Sequence, residues 1–378
     1  MNRVTMNKFD NRSVNVLIKP SSGLCNLRCR YCFYHSPELN PNTDEHGFMK
    51  RDTAENLIKR AYEYATEQVV FAFQGGEPTL CGLDFYRNFV EMAKKHNTNK
   101  IQISFSIQTN GIAIDKEWAK FLFENNFLTG LSIDGPSRVH NENRIDAAEH
   151  SSLKKVMDTK RLFDEYGVEY NALCVVTAET SKYPAQVYEF FKKQGIQYIQ
   201  YIPCLDPSGE EPGQHKFSLK SDDYENFLKK TFDLWYEDIV AGRITVIRTF
   251  DNYIAMLLRY APESCGMSGH CACQFVVEAD GTVYPCDFYV SEDNVIGNVA
   301  LDTFESIINS EAVRNFLEKG DIINDQCKEC RWYFICRDGC RRYRDPKTNL
   351  NIYCTAFQNF FDYAYTRMVE IAKMVSKK

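Results

Sequence analysis

Apolar and polar positions alternate on two scales along the first half of the chain. Short apolar runs at residues 14–18, 69–73, 101–107, 128–133, 170–176 and 198–203 predict strands. Between them, apolar residues recur at helical spacing over 53–65, 83–96, 116–125, 152–166 and 183–194, and a further helix is expected at 222–240. A polar segment, 37–47, follows the first strand and its loop. Six strands alternating with helices imply parallel β/α units, closed or partly closed into a barrel. The pattern changes near Ser264. Residues 275–278 and 283–285, joined through Asp280-Gly281, predict a β-hairpin. An amphipathic helix is expected over 304–317 and a C-terminal one over 356–375.

In parallel β/α architectures the loops at the carboxyl ends of the strands carry the chemistry. Five such loops are polar or glycine-bearing: Cys25 to Cys32, Gly75-Gly76-Glu77, Gln108-Thr109-Asn110-Gly111, Ser132-Ile133-Asp134-Gly135 and Cys204-Leu205-Asp206. Together they predict a site on one rim.

A chain of 378 residues is long for one core, so a domain at 12–240 and a smaller one at 241–378 are expected. The net charge of −6 argues against a nucleic-acid partner. Residues 1–11 are polar and no apolar run reaches membrane-spanning length, so no membrane association and a cytoplasmic protein are expected. Fifteen cysteines in that reducing compartment are better suited to holding metal than to forming disulfides.

The spacing Cys25-x3-Cys29-x2-Cys32 places three thiols within eight residues, directly after the first strand. Thiolates select zinc, copper(I) or iron–sulfur clusters. Three without a fourth nearby suggest a cubane with one iron left open, and a zinc knot completed by His35 is the alternative. A second field holds Cys265, Cys271, Cys273, Cys286, Cys327, Cys330, Cys336, Cys340 and Cys354. Nine thiols allow two four-ligand sites and one spare, and spacing alone leaves zinc and iron–sulfur equally open there.

The triplet resembles the radical S-adenosylmethionine (SAM) superfamily, and the second field behind it resembles the SPASM extension of those enzymes. Within that group the chain is similar to anaerobic sulfatase-maturating enzymes, from Ile18-Lys19-Pro20 through Phe33-Tyr34-His35-Ser36 and Phe71-Ala72-Phe73-Gln74. The similarity continues through the block Cys271-Ala272-Cys273-Gln274-Phe275 and on to Tyr284-Pro285-Cys286-Asp287. The resemblance implies a partial (β/α)6 barrel with a Cys-rich SPASM domain, binding SAM and three [4Fe-4S] clusters. Cys25, Cys29 and Cys32 would hold the SAM-binding cluster. Cys265, Cys271, Cys286 and Cys340 would hold one auxiliary cluster, and Cys327, Cys330, Cys336 and Cys354 the other. Cys273 would be the spare thiol, grouped with Cys81, Cys174 and Cys204.

By the same resemblance Tyr31, Gly76, Ser132, Arg144 and Leu205 line the SAM site, with Arg144 offering its guanidinium fork to the SAM carboxylate. Asp287 matches the proton acceptor, and an anionic cluster beside it would raise its pKa. Tyr34 and Gln74, each beside a cofactor loop, are expected to face substrate. The activity implied is oxidation of a Cys (or Ser) in a sulfatase to Cα-formylglycine, with methionine and 5′-deoxyadenosine as by-products. The partners would be a sulfatase carrying a Cys-x-Pro-x-Arg-type motif and a low-potential electron donor. Two alternatives are a SPASM maturase acting on a small ribosomal peptide and a zinc-stabilised binding protein. The short stretch ahead of the first strand favours the sulfatase over the former.

Overall fold

A computed structural model describes residues 12–35, 46–207, 210 and 212–376. Residues 1–11, most of the polar segment 37–47, Ser36 and the side chain of His35 lie outside this description.

The first half builds as the pattern predicts. It runs β1 (Ser13–Ile18), α1 (Arg51–Tyr64), β2 (Gln68–Phe73), α2 (Leu83–His96), β3 (Gln102–Thr109), α3 (Lys116–Glu124) and β4 (Phe127–Ser132). Then come α4 (Ser137–Asn143), α5 (Leu153–Tyr166), β5 (Tyr170–Val176), α6 (Pro184–Lys193), β6 (Tyr198–Pro203) and α7 (Ser221–Val240). The expected strands and helices are present, their ends shifted by at most a residue or two. Local signals fix several boundaries: Asp115 accepts from the backbone N of Trp118 (2.9 Å) to start α3, and Gly167 ends α5 in the left-handed region. The short, polar α4 has too little apolar periodicity to be visible in the sequence.

Strands β1 to β6 pair in parallel in chain order. Phe71, Phe105 and Phe127 occupy matching register positions on β2, β3 and β4, and their rings stack in a row. Phe71 also packs edge-on against Phe89 of α2, which identifies this face of the sheet as the one the helices cover. The alternate residues face the other way and are half-buried, as Gln108 and Ser132 are, or exposed, as Leu128 is.

The second half adds β7 (Val246–Ile247), α8 (Arg248–Leu257), β8 (Val276–Val277), β9 (Thr282–Tyr284) and β10 (Gly297–Asn298). These are followed by α9 (Phe304–Ile308), α10 (Glu311–Gly320), α11 (Asp325–Lys328), α12 (Tyr333–Cys336) and α13 (Cys354–Val375). The single helix expected over 304–317 is two. Ser310 accepts from the backbone N of Val313 (3.3 Å) and caps α10, so the chain leaves helical geometry between the pieces.

Strands β8 and β9 form the expected hairpin, and β8 pairs in parallel with β1 through Leu17↔Val276 and Ile18↔Val277. At the other edge β7 pairs with β6. The described strands therefore form one open mixed sheet in the order β10-β9-β8-β1-β2-β3-β4-β5-β6-β7. The sheet runs past residue 240 at both edges. Helix α13 packs along α7, where Arg367 and Tyr363 both bond Asp233 and Phe360 meets Phe232.

Candidate active site and thiol clusters

The loop of Cys25, Cys29 and Cys32 is held by backbone. The N–H of Arg28 donates to Ile145 O (2.7 Å) and that of Arg30 to Asn143 O (3.0 Å). The Gly75-Gly76-Glu77 turn presses against it from β2. Gly76 has φ +53°, and a Cβ there would lie 2.8 Å from the Ser22 carbonyl oxygen and closer still to that of Leu24. Its freedom from a side chain thus serves first to let two stretches of backbone meet. Glu77 is fully enclosed and accepts from the N (3.1 Å) and Oγ1 (2.6 Å) of Thr79, from Thr109 Oγ1 (2.7 Å) and from Asn110 N (2.7 Å). Asn110 in turn donates to Asn26 Oδ1 (2.8 Å) and to Cys25 Sγ (3.6 Å). One buried carboxylate ties the end of β3 to the first cysteine.

The expected SAM-site residues gather beside that loop. Tyr31 donates to Asp134 Oδ2 (2.6 Å), and Arg144 reaches Asp134 through Nε (2.9 Å) and Nη2 (3.2 Å). The guanidinium also stands 5.4 Å from the Tyr31 ring centre and hydrogen-bonds Cys29. The Arg144 fork that the resemblance assigns to a ligand carboxylate is, in this structure, occupied by Asp134. Ser132 Oγ accepts from Gln108 Nε2 (3.0 Å) at the end of β4, and Leu205 is buried just beyond β6. Under the turn, His140 accepts from Asp134 N at Nδ1 (3.2 Å) and meets Ser152 Oγ at Nε2 (3.0 Å). Burial lowers the His140 pKa to about 3, so the imidazole is neutral.

Asp287 follows Cys286 at the end of the hairpin and is 7% exposed. Its Oδ2 accepts from Tyr34 and from Gln74 Nε2 (2.9 Å), while its Oδ1 has no hydrogen-bond partner among the described residues. The three residues expected to do proton transfer and substrate contact therefore meet at one carboxylate. Burial raises the Asp287 pKa, Glu278 adds to the rise and Lys19 opposes it. Lys19 is wholly enclosed, ion-paired with Glu278 and 5.1 Å from the Tyr34 ring centre. Ser22 donates to the other Glu278 oxygen (2.6 Å).

No disulfide joins any of the fifteen cysteines. Burial raises the Cys25 thiol to about 11 and those of Cys29 and Cys327 each to about 12, so deprotonating these three needs a cation. Their mutual electrostatics sort them. Cys29 acts on Cys25, and Cys32 on Cys29. Cys265 acts on Cys271 and Cys286, and Cys340 feels both Cys265 and Cys271. Cys336 and Cys354 act on Cys327, and Cys330 acts on Cys336 and Cys354. Among the described residues, no three His, Cys, Asp or Glu side chains point at one ion-sized position. Cys327, Cys330, Cys336 and Cys354 instead line one common cavity, with no other cysteine in its walls. Four soft donors converging on one cavity suit an iron–sulfur cluster.

Residues 20–191 match the Radical SAM superfamily model, and residues 269–331 match an iron-sulfur cluster-binding domain named SPASM. The chain is 45% identical to the cysteine-type anaerobic sulfatase-maturating enzyme of Clostridium novyi, covering 97% of this chain and 99% of that one. The chain belongs to the anaerobic sulfatase-maturating enzymes. It is 33% identical to the serine-type enzyme of Bacteroides thetaiotaomicron over 92% of its length and 88% of that relative's. A solved structure of native anSMEcpe with bound AdoMet and a Cp18Cys peptide superposes with a TM-score of 0.93 at 43% identity, covering 96% of this chain and 100% of that one. Streptococcus suis SuiB shares the fold, with a TM-score of 0.60 at 16% identity, 88% of this chain and 74% of that one being covered.

As a radical SAM enzyme of this family, the protein places most of its sequence-expected residues in three neighbourhoods. Lys19, Glu77, Asp134, His140 and Glu278 carry no expected role from sequence, yet all five are buried partners in these neighbourhoods. A lysine directly after an apolar strand, and a glutamate closing an apolar hairpin strand, were the available signs of a buried pair. Among the described residues, no helix is long and apolar enough to cross a membrane.

Proposed function

We propose that this enzyme oxidises a cysteine of a sulfatase polypeptide, within a Cys-x-Pro-x-Arg-type motif, to Cα-formylglycine in the cytosol. The single observation carrying this is the buried Asp287, gripped on one oxygen by Tyr34 and Gln74 and without a hydrogen-bond partner on the other. The higher identity to cysteine-type than to serine-type relatives supports the thiol substrate.

Cys25, Cys29 and Cys32 would hold the SAM-binding cluster, with Tyr31, Gly76, Ser132, Arg144 and Leu205 around SAM. Cys265, Cys271, Cys286 and Cys340 would hold one auxiliary cluster, and Cys327, Cys330, Cys336 and Cys354 the second. When bound, these groups supply hydrogen-atom abstraction and a place for the departing electron. The chain supplies the rest. Asp287 takes the thiol proton on Oδ1, and its raised pKa makes it a stronger base than an exposed carboxylate. Tyr34 and Gln74 keep Oδ2 occupied, so the free oxygen is the one presented. Burial of Asp287 keeps competing water from the acceptor. In sum the substrate loses a Cβ hydrogen atom, a thiol proton and one electron, and hydrolysis of the resulting thioaldehyde gives aldehyde and sulfide. A low-potential electron donor would prime each round.

The test is anaerobic incubation of reconstituted enzyme with SAM, a reductant and paired peptides differing only in Cys or Ser at the target. Mass spectrometry should find aldehyde predominantly from the Cys peptide. SAM cleavage without aldehyde, or faster conversion of the Ser peptide, would overturn the reading.

A further inference from the structure

Between the two auxiliary thiol sets lies a buried ion pair that the reaction above does not use. Arg344 Nε stands 2.9 Å from Asp338 Oδ2, with the side chains 3% and 1% exposed. Asp338 lines the cavity of Cys327, Cys330, Cys336 and Cys354, and Cys327 hydrogen-bonds to it. Arg344 reaches the opposite way. Its Nη1 donates to the carbonyls of Gly320 (3.2 Å) and Ile322 (2.8 Å), and Gly320 abuts Cys271 so closely that a Cβ there would lie 2.5 Å from Sγ. The Arg344 charge acts on Cys271 and on Cys340. Arg341 reinforces it at Cys271, and Asp321 opposes it.

The backbone is bent to keep the pair in place. Arg337, Asp338 and Gly339 have φ of +52°, +62° and +62°. Two consecutive non-glycine residues in the left-handed region persist only where the surroundings impose them. Asn351 supplies the clamp, its N donating to Asp338 Oδ1 and its Nδ2 to Asp338 O, each at 3.2 Å. A buried ion pair is weak evidence for stability, because well-packed apolar residues often do as well. Retaining one here, on a strained turn, needs another reason.

The potential of an iron–sulfur cluster follows the charges, hydrogen bonds and exposure around its sulfurs. A neutral pair lying between two clusters has no net charge to offer, so each cluster feels mainly the end facing it. We propose that Asp338 and Arg344 form a fixed electrostatic divider between the auxiliary clusters, Arg344 raising the potential of the first and Asp338 lowering that of the second. The first auxiliary cluster, held by Cys265, Cys271, Cys286 and Cys340, would then be the more favourable acceptor for the one electron the substrate gives up, the thiol proton going to Asp287. This rests on the cluster assignments proposed above.

The test is a redox titration of anaerobically isolated full-length holoenzyme, followed by electron paramagnetic resonance, for wild type, Arg344→Gln, Arg344→Lys and Asp338→Asn. Arg344→Gln should lower one auxiliary midpoint and Asp338→Asn should raise the other. Each should change the oxidised-to-reduced ratio at fixed potential about tenfold, or about 59 mV for a one-electron couple. Arg344→Lys, which keeps the charge, should stay near wild type. Unmoved midpoints in the two neutral variants at full iron and sulfide content would overturn the divider, as would a shift in Arg344→Lys equal to that in Arg344→Gln. Loss of a cluster from either neutral variant would make the pair an assembly brace and overturn it too. Failure of the underlying assignment looks different: the wild type itself would then lack three clusters by iron, sulfide and resonance signals.

Discussion

Tyr34 donates its phenolic hydrogen bond to Asp287 Oδ2 across 253 residues of sequence. The bond joins the segment after the first cysteine triplet to the hairpin that carries Cys286. It leaves the carboxylate one oxygen to use, and that division of labour can be tested. Tyr34→Phe removes a donor to an ionisable acceptor, an interaction of about 1.5–3 kcal/mol. Aldehyde formation should fall roughly ten- to a hundredfold by that energy, with SAM cleavage retained. Asp287→Asn should abolish aldehyde and still release 5′-deoxyadenosine. The ratio of 5′-deoxyadenosine to aldehyde is the measurement, and an unchanged ratio in Tyr34→Phe would contradict the role given to the phenol.

Glu77 accepts four hydrogen bonds from Thr79, Thr109 and Asn110 in a site closed to water. Glu77→Ala strands those donors, each at about 1–3 kcal/mol when buried without a partner. The unfolding free energy should drop by at least about 3 kcal/mol on that basis. Iron at the first site should fall with it, because Asn110 also bonds Cys25 and Asn26. Denaturant unfolding and iron content check both. Gly76→Ala should show the iron loss as well, since its Cβ would collide with the Ser22 and Leu24 carbonyls.

Cysteine substitutions separate ligands from bystanders. Cys354→Ala, on the rim of the second auxiliary cavity, should remove about a third of the iron, one cluster of three. Cys273 packs against the hydrophobic core, and burial is the main cause of its raised pKa. Cys273→Ala should leave iron and sulfide unchanged. Equal losses from the two variants would undo the partition of thiols.

His140 supplies a pH dependence with a definite sign. Its folded pKa, about 3, lies below the usual 6.5. Below pH 6.5 the unfolded chain therefore binds a proton that the folded chain refuses, and stability is lost as pH falls, by about 1.4 kcal/mol per unit. Other buried groups titrate in the same range, so the comparison is with His140→Gln. The slope of unfolding free energy between about pH 6.5 and 4.5 should be shallower in the variant by that amount. Equal slopes would mean the imidazole is not held neutral.

Much of this was legible in the residues. The six barrel strands follow from apolar runs of strand length, and the proposed thiol sets follow from the family resemblance alone. The pieces that escaped are those decided by tertiary context. Ser310 reads as an ordinary polar residue on a helix face until it caps α10. Arg144 looked available to a ligand because nothing in the sequence says that Asp134, ten residues earlier, turns back to meet it. The Lys19–Glu278 pair joins positions 259 residues apart, beyond the reach of any local pattern. The two-residue strands β7 and β10 are too short to show alternation at all.

The pairing of β8 with β1 has a practical corollary. The N–H of Leu17 donates to Phe275 O (3.2 Å) and that of Lys19 to Val277 O (2.9 Å). The loop that would hold SAM and the carboxylate that would take the proton are thus mounted on adjacent rails, bolted by main-chain bonds rather than by a hinge. Engineers who splice this cysteine-rich module onto a different barrel must transplant that splint with it. A slip of one residue there would turn the side chains of β8 to the opposite face.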